Sequence, residues 1–248
     1  MALDWEFVYN GLTFGAASDT GVLSVEGLNP PDSRIDEVEQ AIKHGSFVFA
    51  EFLTSRRITM QGDIIGDSNN DFATKINDWR AAFVPRASDL PLVYKFPGEV
   101  EKRIYCVPTR RFFPANLNYN LNFTNWTLEL LAQDPRIYAE AASQLVGAGV
   151  AANAGIFPSF PIATITGATN PVIGNSTTGK EISLTLTMAG GEELIIDFDK
   201  RTIELDGVNR YETLNLPTSE WWDLEPGNNT ITYSGGGVLT LDWRSAWI

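Results

Sequence analysis

A two-residue alternation of apolar and polar side chains, carried in short segments and punctuated by glycine, asparagine and aspartate, most constrains what this chain can fold into. Between Ile182 and Met188, the residues Ile182, Leu184, Leu186 and Met188 share one face while Ser183, Thr185 and Thr187 take the other. That is the period of a strand with one face buried and one wet. Leu194, Ile196 and Phe198 repeat the pattern, followed by Ile203 with Leu205, Ile231 with Tyr233, and Leu239, Leu241 and Trp243. Asp206-Gly207 fits a two-residue hairpin with positive φ, and Glu225-Pro226-Gly227-Asn228 fits a type II turn, with proline second and glycine third. The region Pro158 to Ile248 therefore reads as a β-sandwich.

The first part of the chain is also strand-rich. Trp5, Phe7 and Tyr9 alternate, Asn10-Gly11 marks a tight hairpin, and Leu12 and Phe14 return. Strands are expected over Gly21–Gly27, Phe47–Phe52, Arg57–Ile65, Leu92–Phe96 and Arg103–Val107, and along Leu117, Tyr119, Leu121, Phe123, Trp126, Leu128 and Leu130. Asn116, Asn118, Asn120 and Asn122 form a polar ladder on the other face of that last run. Helical spacing is confined to two places. Asp71–Phe83 places Phe72, Ile76, Trp79 and Phe83 on one stripe, and Ser33–Lys43 offers Ile35, Val38 and Ile42 behind a capping-box-like Ser33 and Asp36. Ala139–Gly155 is rich in alanine and glycine and reads as a connection, with a short helix from Ala139 to Leu145 as an option.

At 248 residues with 44% hydrophobic composition, the chain can bury one large core or two modest ones. Its net charge of −13 is spread over both parts, which argues against a basic nucleic-acid-binding module. Arg56-Arg57, Lys102-Arg103 and Arg110-Arg111 read as isolated pairs at solvated strand ends. The uncharged stretch from Ala141 to Lys180 is broken by glycine, proline, asparagine and threonine, so no bilayer-spanning helix is expected. Met1–Glu6 lacks a basic region followed by an apolar core, so no secretory signal is expected and the chain is read as starting there.

One histidine and one cysteine exclude a His/Cys zinc site, a dithiol redox motif and an intramolecular disulfide. Cys106 reads as a buried thiol and His44, before Gly45, as a turn residue. Asp67-Ser68-Asn69-Asn70-Asp71 with Asp78 resembles the start of a calcium loop, yet Phe72 stands where that loop needs glycine, and an acidic helix N-terminus accounts for the same residues. Nucleophile elbows, phosphate loops and dinucleotide fingerprints are missing, and the acids are too numerous to single out a glycosidase pair. No catalytic, cofactor or metal residue is assigned. Trp221 and Trp222 are the candidates for stacking on a sugar, although adjacent strand residues face opposite ways. Asn125, Asn175 and Asn228 each open a glycosylation sequon that matters only in a secretory setting.

In the order of its motifs the chain resembles the distal tail protein (Dit) family of long-tailed siphophages. The resemblance runs through Phe7-Val8-Tyr9-Asn10-Gly11-Leu12-Thr13-Phe14, His44-Gly45, Arg57-Ile58-Thr59-Met60-Gln61-Gly62-Asp63-Ile64, Leu90-Pro91-Leu92-Val93 and Leu131-Ala132-Gln133-Asp134-Pro135. It continues through Asn175-Ser176-Thr177-Thr178-Gly179, Leu194-Ile195-Ile196-Asp197, Trp222-Asp223-Leu224-Glu225-Pro226-Gly227-Asn228-Asn229, and Trp243 with Trp247. It implies a mainly β, β-rich α+β protein: an N-terminal ring-forming domain with one helix (1–138), an Ala/Gly-rich linker (139–157) and a C-terminal galectin-like β-sandwich (158–248). It further implies a structural, non-enzymatic virion protein, assembled in the host cytoplasm as a homohexameric ring at the tail tip. The implied partners are other copies of itself, the tail tube protein and the hub or tail-associated protein, with the tape measure and receptor-binding proteins as further candidates. DNA would pass through the channel, and no membrane insertion or cofactor is implied. No segment looks like an inserted carbohydrate-binding module, which some members carry. The alternative is a carbohydrate-binding module or adhesin using the C-terminal sandwich.

Overall fold

The computed structural model describes residues 5–16, 18–40, 42–113 and 120–248. The chain divides into two compact units, one of Met1–Glu140 with the terminal Ile248 and one of Ala141–Trp247. The first unit carries β1 (Glu6–Tyr9), β2 (Leu12–Gly15), β3 (Thr20–Glu26), β4 (Ser33–Glu39), β5 (Ser46–Leu53), β6 (Arg56–Ile65), α1 (Asn69–Ala82), β7 (Leu90–Lys95), β8 (Lys102–Phe112), β9 (Phe123–Ala132) and β10 (Ile137–Ala139). The second carries β11 (Ser143–Val146), β12 (Gly149–Asn153), β13 (Ile162–Thr166), β14 (Val172–Asn175), β15 (Lys180–Ser183), β16 (Glu193–Asp197), β17 (Thr202–Leu205), β18 (Val208–Asn209), β19 (Gly227–Ser234) and β20 (Val238–Trp243).

In the first unit one sheet runs β2-β1-β7-β8-β9-β6-β3, and β10 pairs with β8. Asn10 and Gly11 adopt φ of 48° and 81°, so the β1–β2 turn has the left-handed pair that an Asn-Gly hairpin uses. The sheet curls until the indole of Trp5, beside β1, donates to the Val22 carbonyl of β3 at 3.1 Å. Its concave side holds Phe7, Tyr9, Phe14, Trp79, Phe83 and Trp126, all essentially excluded from solvent. Their rings interlock: Tyr9 stacks on Phe83 at 5.1 Å, and Phe14 meets Trp126 edge-on at 6.1 Å. The helix covers this side with Phe72, Ile76 and Trp79, the stripe anticipated from its spacing. Ser68 caps it, accepting from the Asp71 amide at 3.2 Å.

The second unit is a sandwich of two antiparallel sheets, β11-β20-β13-β16-β17-β18 and β12-β19-β14-β15. Its core is mostly aliphatic. Ile165, Ile173, Ile182, Leu194, Ile196, Ile203, Leu239 and Leu241 are buried around Phe198 and Trp222. Asp206 and Gly207 adopt φ of 49° and 75° in the β17–β18 turn, and Gly227 adopts 96° after Pro226, as their sequence context requires.

The structure corrects three expectations. Ser33–Lys43 forms no helix: Ser33–Glu39 is β4, paired with β5 across a bulge after Asp36. Three apolar residues at helical spacing are a weak signal, and the run Phe47-Val48-Phe49 opposite supplies both ladder partners and strand propensity. The 139–157 segment is no idle connection, since it contributes β11 and β12, and the optional helix from Ala139 to Leu145 is absent. Its small residues serve packing: Ala151 and Asn153 point inward and are fully buried. Of the long run beginning at Leu117, the strand itself starts at Phe123, after Asn122 at φ 56°. Asn116, Asn118, Leu117 and Tyr119 lie outside the described residues, and exposed Asn120 precedes the strand.

Candidate interaction surface

The side chains that invited a chemical reading serve local structure. Asp71 accepts from the Asp67 amide at 2.9 Å and from Lys75 at 2.6 Å. Those bonds, the Lys75 contact foremost, hold its carboxyl below the usual carboxylate range at the start of α1. Among the described residues no three His, Cys, Asp or Glu side chains are grouped to hold a metal ion. Cys106 is buried on β8, and desolvation pushes its thiol up to about 12. His44 is exposed in the turn after β4.

The two tryptophans part company. Trp222 packs 4.2 Å from Phe198 in the core with its indole N–H unpaired, so no ligand can lie on it. Trp221 is half-buried, edge-on to Phe198 at 5.6 Å and nearly parallel to exposed Tyr211 at 6.4 Å.

Around them stands an amide network that the sequon pattern did not reveal. Asn175 and Asn229 are fully buried, and the Asn175 amide donates to the Asp223 carbonyl at 3.0 Å and to Asn229 Oδ1 at 3.1 Å. Asn229 donates to the Glu225 carbonyl and accepts from the Glu225 amide, closing the Glu225–Asn229 loop. Asn153 likewise ties Phe157, Leu224, Gly155 and Ala246. The Trp222–Asn229 motif is thus a core-and-turn device, and Asn175 is no glycan acceptor in the folded chain.

What remains unexplained by the chain's own packing is the β4–β5 hairpin. Every β4 residue is exposed, as are Phe47, Val48, Phe49 and Phe52 of β5, at 51–71% of their full area. Gln40 and Gly45 close its tip through a backbone bond, and Thr54 closes its root on the Asp32 carbonyl. An isolated two-stranded ribbon is marginal in water, and contiguous exposed apolar surface marks a contact site. Its acids Asp32, Asp36, Glu37, Glu39 and Glu51 outnumber Arg34 and Lys43.

The root of this arm is anchored by Arg56, a residue only 2% exposed. It donates to the carbonyls of Pro135 (3.1 Å), Gly27 (3.1 Å) and Asn29 (2.6 Å), while Nη2 has no partner. Its hydrogen-bond partners include no carboxylate, and burial lowers its pKa. A cleft of about 380 Å³ opens beside it, bounded by Pro30, Pro31, Asp32 and Thr54. Gly27, at φ 89°, makes the bend into the arm, and a Cβ there would lie 1.9 Å from the Arg57 carbonyl oxygen.

A second exposed patch on the same unit lies where α1 ends. Arg111 donates to the Phe83 carbonyl at 2.8 Å, complementing the negative end of the helix dipole. Arg80 lies over the Phe113 ring at 5.8 Å, and exposed Val84 follows Phe83. Arg86 and Arg110 are exposed as well, Arg110 pairing with Glu129 at 3.2 Å.

Comparisons with known proteins bear on the second unit and on the fold of the chain. The family profile SPP1_Dit, described as the siphovirus-type tail component, C-terminal domain, matches residues 151–247. No curated protein matches the chain. Among solved structures, SPP1 Dit (gp 19.1), described as a paradigm of the hub adsorption apparatus in Gram-positive infecting phages, superposes with a TM-score of 0.73. That match covers 98% of this chain and 99% of the other at 17% identity. A chain of the phage p2 baseplate in its activated conformation with Sr matches at TM-score 0.55 and 10% identity, over 96% of each chain. The corresponding structure with Ca gives 0.53 and 7% over 91% of each. At such identities the structures show the shared fold. Residues 151–247 thus carry the C-terminal domain of siphovirus-type tail components, and the chain shares its fold from end to end with SPP1 Dit.

Proposed function

We propose that this chain is a structural protein of the phage tail tip that assembles as a homohexameric ring. The ring joins the tail tube to the hub or tail-associated protein and anchors the adhesion apparatus, with the second unit serving as a galectin-like sandwich. The observation that carries the reading is the reciprocal, nearly complete coverage between this chain and a hub-type tail protein. An apolar arm left bare by its own unit supports it, because ring subunits need surface reserved for neighbours. The role is structural rather than catalytic, and the protein takes its place in the virion after assembly in the host cytoplasm. Six copies, each at −13, give the ring a strongly negative field, and acids facing the channel would keep passing DNA from sticking.

Size-exclusion chromatography with light scattering, followed by negative-stain imaging, tests the reading. Rings of six are expected. A second reading, a surface binder of host polysaccharide, is favoured by one observation, the half-exposed Trp221 beside Tyr211. A persistent monomer that binds polysaccharide, and loses that binding on Trp221→Ala, would replace the first reading with the second.

A further inference from the structure

We propose that Asn10 is a site of spontaneous covalent modification, deamidation to aspartate and isoaspartate, and that its hydrogen bond to the end of α1 both delays the reaction and is destroyed by it. Asn10-Gly11 is the one Asn-Gly pair in the sequence. Both residues are exposed in the β1–β2 turn, and the space where a side chain would stand beside the Gly11 nitrogen is open among the described residues. A cleft of about 300 Å³ lies between this turn and Asp78, Ala81 and Ala82 of the helix, roomy enough for water.

The reaction needs water alone. The Gly11 amide nitrogen gives up its proton and attacks Cγ of Asn10; that C–N bond forms, the bond from Cγ to Nδ2 breaks, and ammonia leaves with the proton. Water then opens the cyclic imide. Opening at the former side-chain carbonyl gives aspartate, and opening at the main-chain carbonyl gives isoaspartate, with the chain continuing through Cγ. Each conversion consumes one water and releases one ammonia, and nothing is oxidised or reduced.

The fold sets both the pace and the consequence. Asn10 Nδ2 donates to the Ala82 carbonyl at 3.2 Å, one of the carbonyls that a helix end leaves without an internal partner. While that bond holds, the carboxamide is not free to turn onto the Gly11 nitrogen, so conversion follows opening of the turn. The product cannot close the latch again. A carboxylate at position 10 only accepts hydrogen bonds, and it would face the negative end of α1 and the Asp78 side of the same cleft. Isoaspartate adds a main-chain carbon to a two-residue loop whose register pairs Tyr9 with Leu12. Beside the turn Tyr9 stacks on Phe83 at 5.1 Å, so the latch joins hairpin to helix where the two share core.

The test follows the intact chain over days in mildly alkaline buffer, folded and in urea, by peptide mapping with mass spectrometry and by counting isoaspartate with an isoaspartyl methyltransferase. Asn10 should be the first asparagine converted in the folded chain, at a rate at least about tenfold below that in urea. In the aged, converted chain the amides of the β1–β2 ladder and of Phe83, which donates to the Trp79 carbonyl, should exchange at least about tenfold faster, with the second unit unchanged. Asn10→Asp should show the faster exchange at once, and Asn10→Gln, which keeps a donor but closes the imide ring poorly, should stay unmodified. The aged wild type folds before it converts, so the exchange comparison stands even where Asn10→Asp does not fold. Another asparagine converted ahead of Asn10 in the folded chain would overturn the site, and equal rates folded and in urea would overturn its gating by Ala82. Exchange unchanged at the ladder and at Phe83 in the converted chain would overturn the latch.

Discussion

Two hairpins of the first unit start from similar material and meet opposite fates. In β1–β2, Phe7, Tyr9 and Phe14 are completely buried, stacked among Phe83, Tyr94 and Trp126. In β4–β5, Phe47, Phe49 and Phe52 stand more than half exposed. The difference lies in the neighbours. β1 pairs on its far side with β7 and so joins a sheet with a helix on its concave face, while among the described residues β4 and β5 pair only with each other. A buried hairpin stabilises the fold that contains it, and a bare one leaves apolar surface that its own unit does not cover.

The largest effect is expected on the buried side. Phe7→Ala removes a ring that touches Phe14 at 5.7 Å and Tyr94 at 6.2 Å, and should cost about 3–5 kcal/mol of stability, read by urea unfolding. A cost under about 1 kcal/mol would mean that the first hairpin is not integral to the core.

Next in size is the anchor between the two regions. Arg56→Met leaves the carbonyls of Pro135, Gly27 and Asn29 without their donor. Breaking the group should cost about 2–3 kcal/mol and speed amide exchange in Gly27–Asp32 and Thr54. Exchange unchanged along that segment would show that the arm is held by its strand connections alone.

Turn chemistry gives a smaller, matched pair. Gly11 at φ 81° and Gly45 at φ 103° both occupy the left-handed half of the map with open space around them. Alanine at either meets the same backbone penalty, about 1 kcal/mol. Gly11→Ala should lower global stability by that amount, because its turn sets the register of buried β1. Gly45→Ala should leave global unfolding nearly unchanged and loosen only the arm tip. Equal global effects would mean that the arm tip and the core hairpin unfold together.

What the sequence made legible follows the same division. Asn10-Gly11, Asp206-Gly207, the Phe72–Trp79 stripe and the alternation from Leu194 to Phe198 each answer to one local rule, and each appears in the structure where that rule puts it. The β4 strand was hidden because its exposed faces impose no burial pattern: Ile35 and Val38 stand half exposed and answer to no core. Strands β11 and β12 were hidden because small residues at a tight sheet interface resemble a flexible connection. The Asn153, Asn175 and Asn229 network was invisible because a sequon and a buried amide look alike in a string. The candidate stacking residues Trp221 and Trp222 lie between β18 and β19 and on no strand, so strand alternation was no guide to which of them the core would take.

The smallest effect on the isolated chain is also the most telling. Phe47→Ser changes an exposed residue that supports no core, so unfolding of dilute monomer should move by less than about 0.5 kcal/mol. Association couples to stability by mass action, so in the wild type the melting temperature should rise with protein concentration. In the variant that concentration dependence should flatten, since the arm no longer draws stability from a neighbour. A dilute-chain loss comparable with that of Phe7→Ala would mean the arm folds back on its own unit in solution, and the two hairpins would then differ in position and not in purpose.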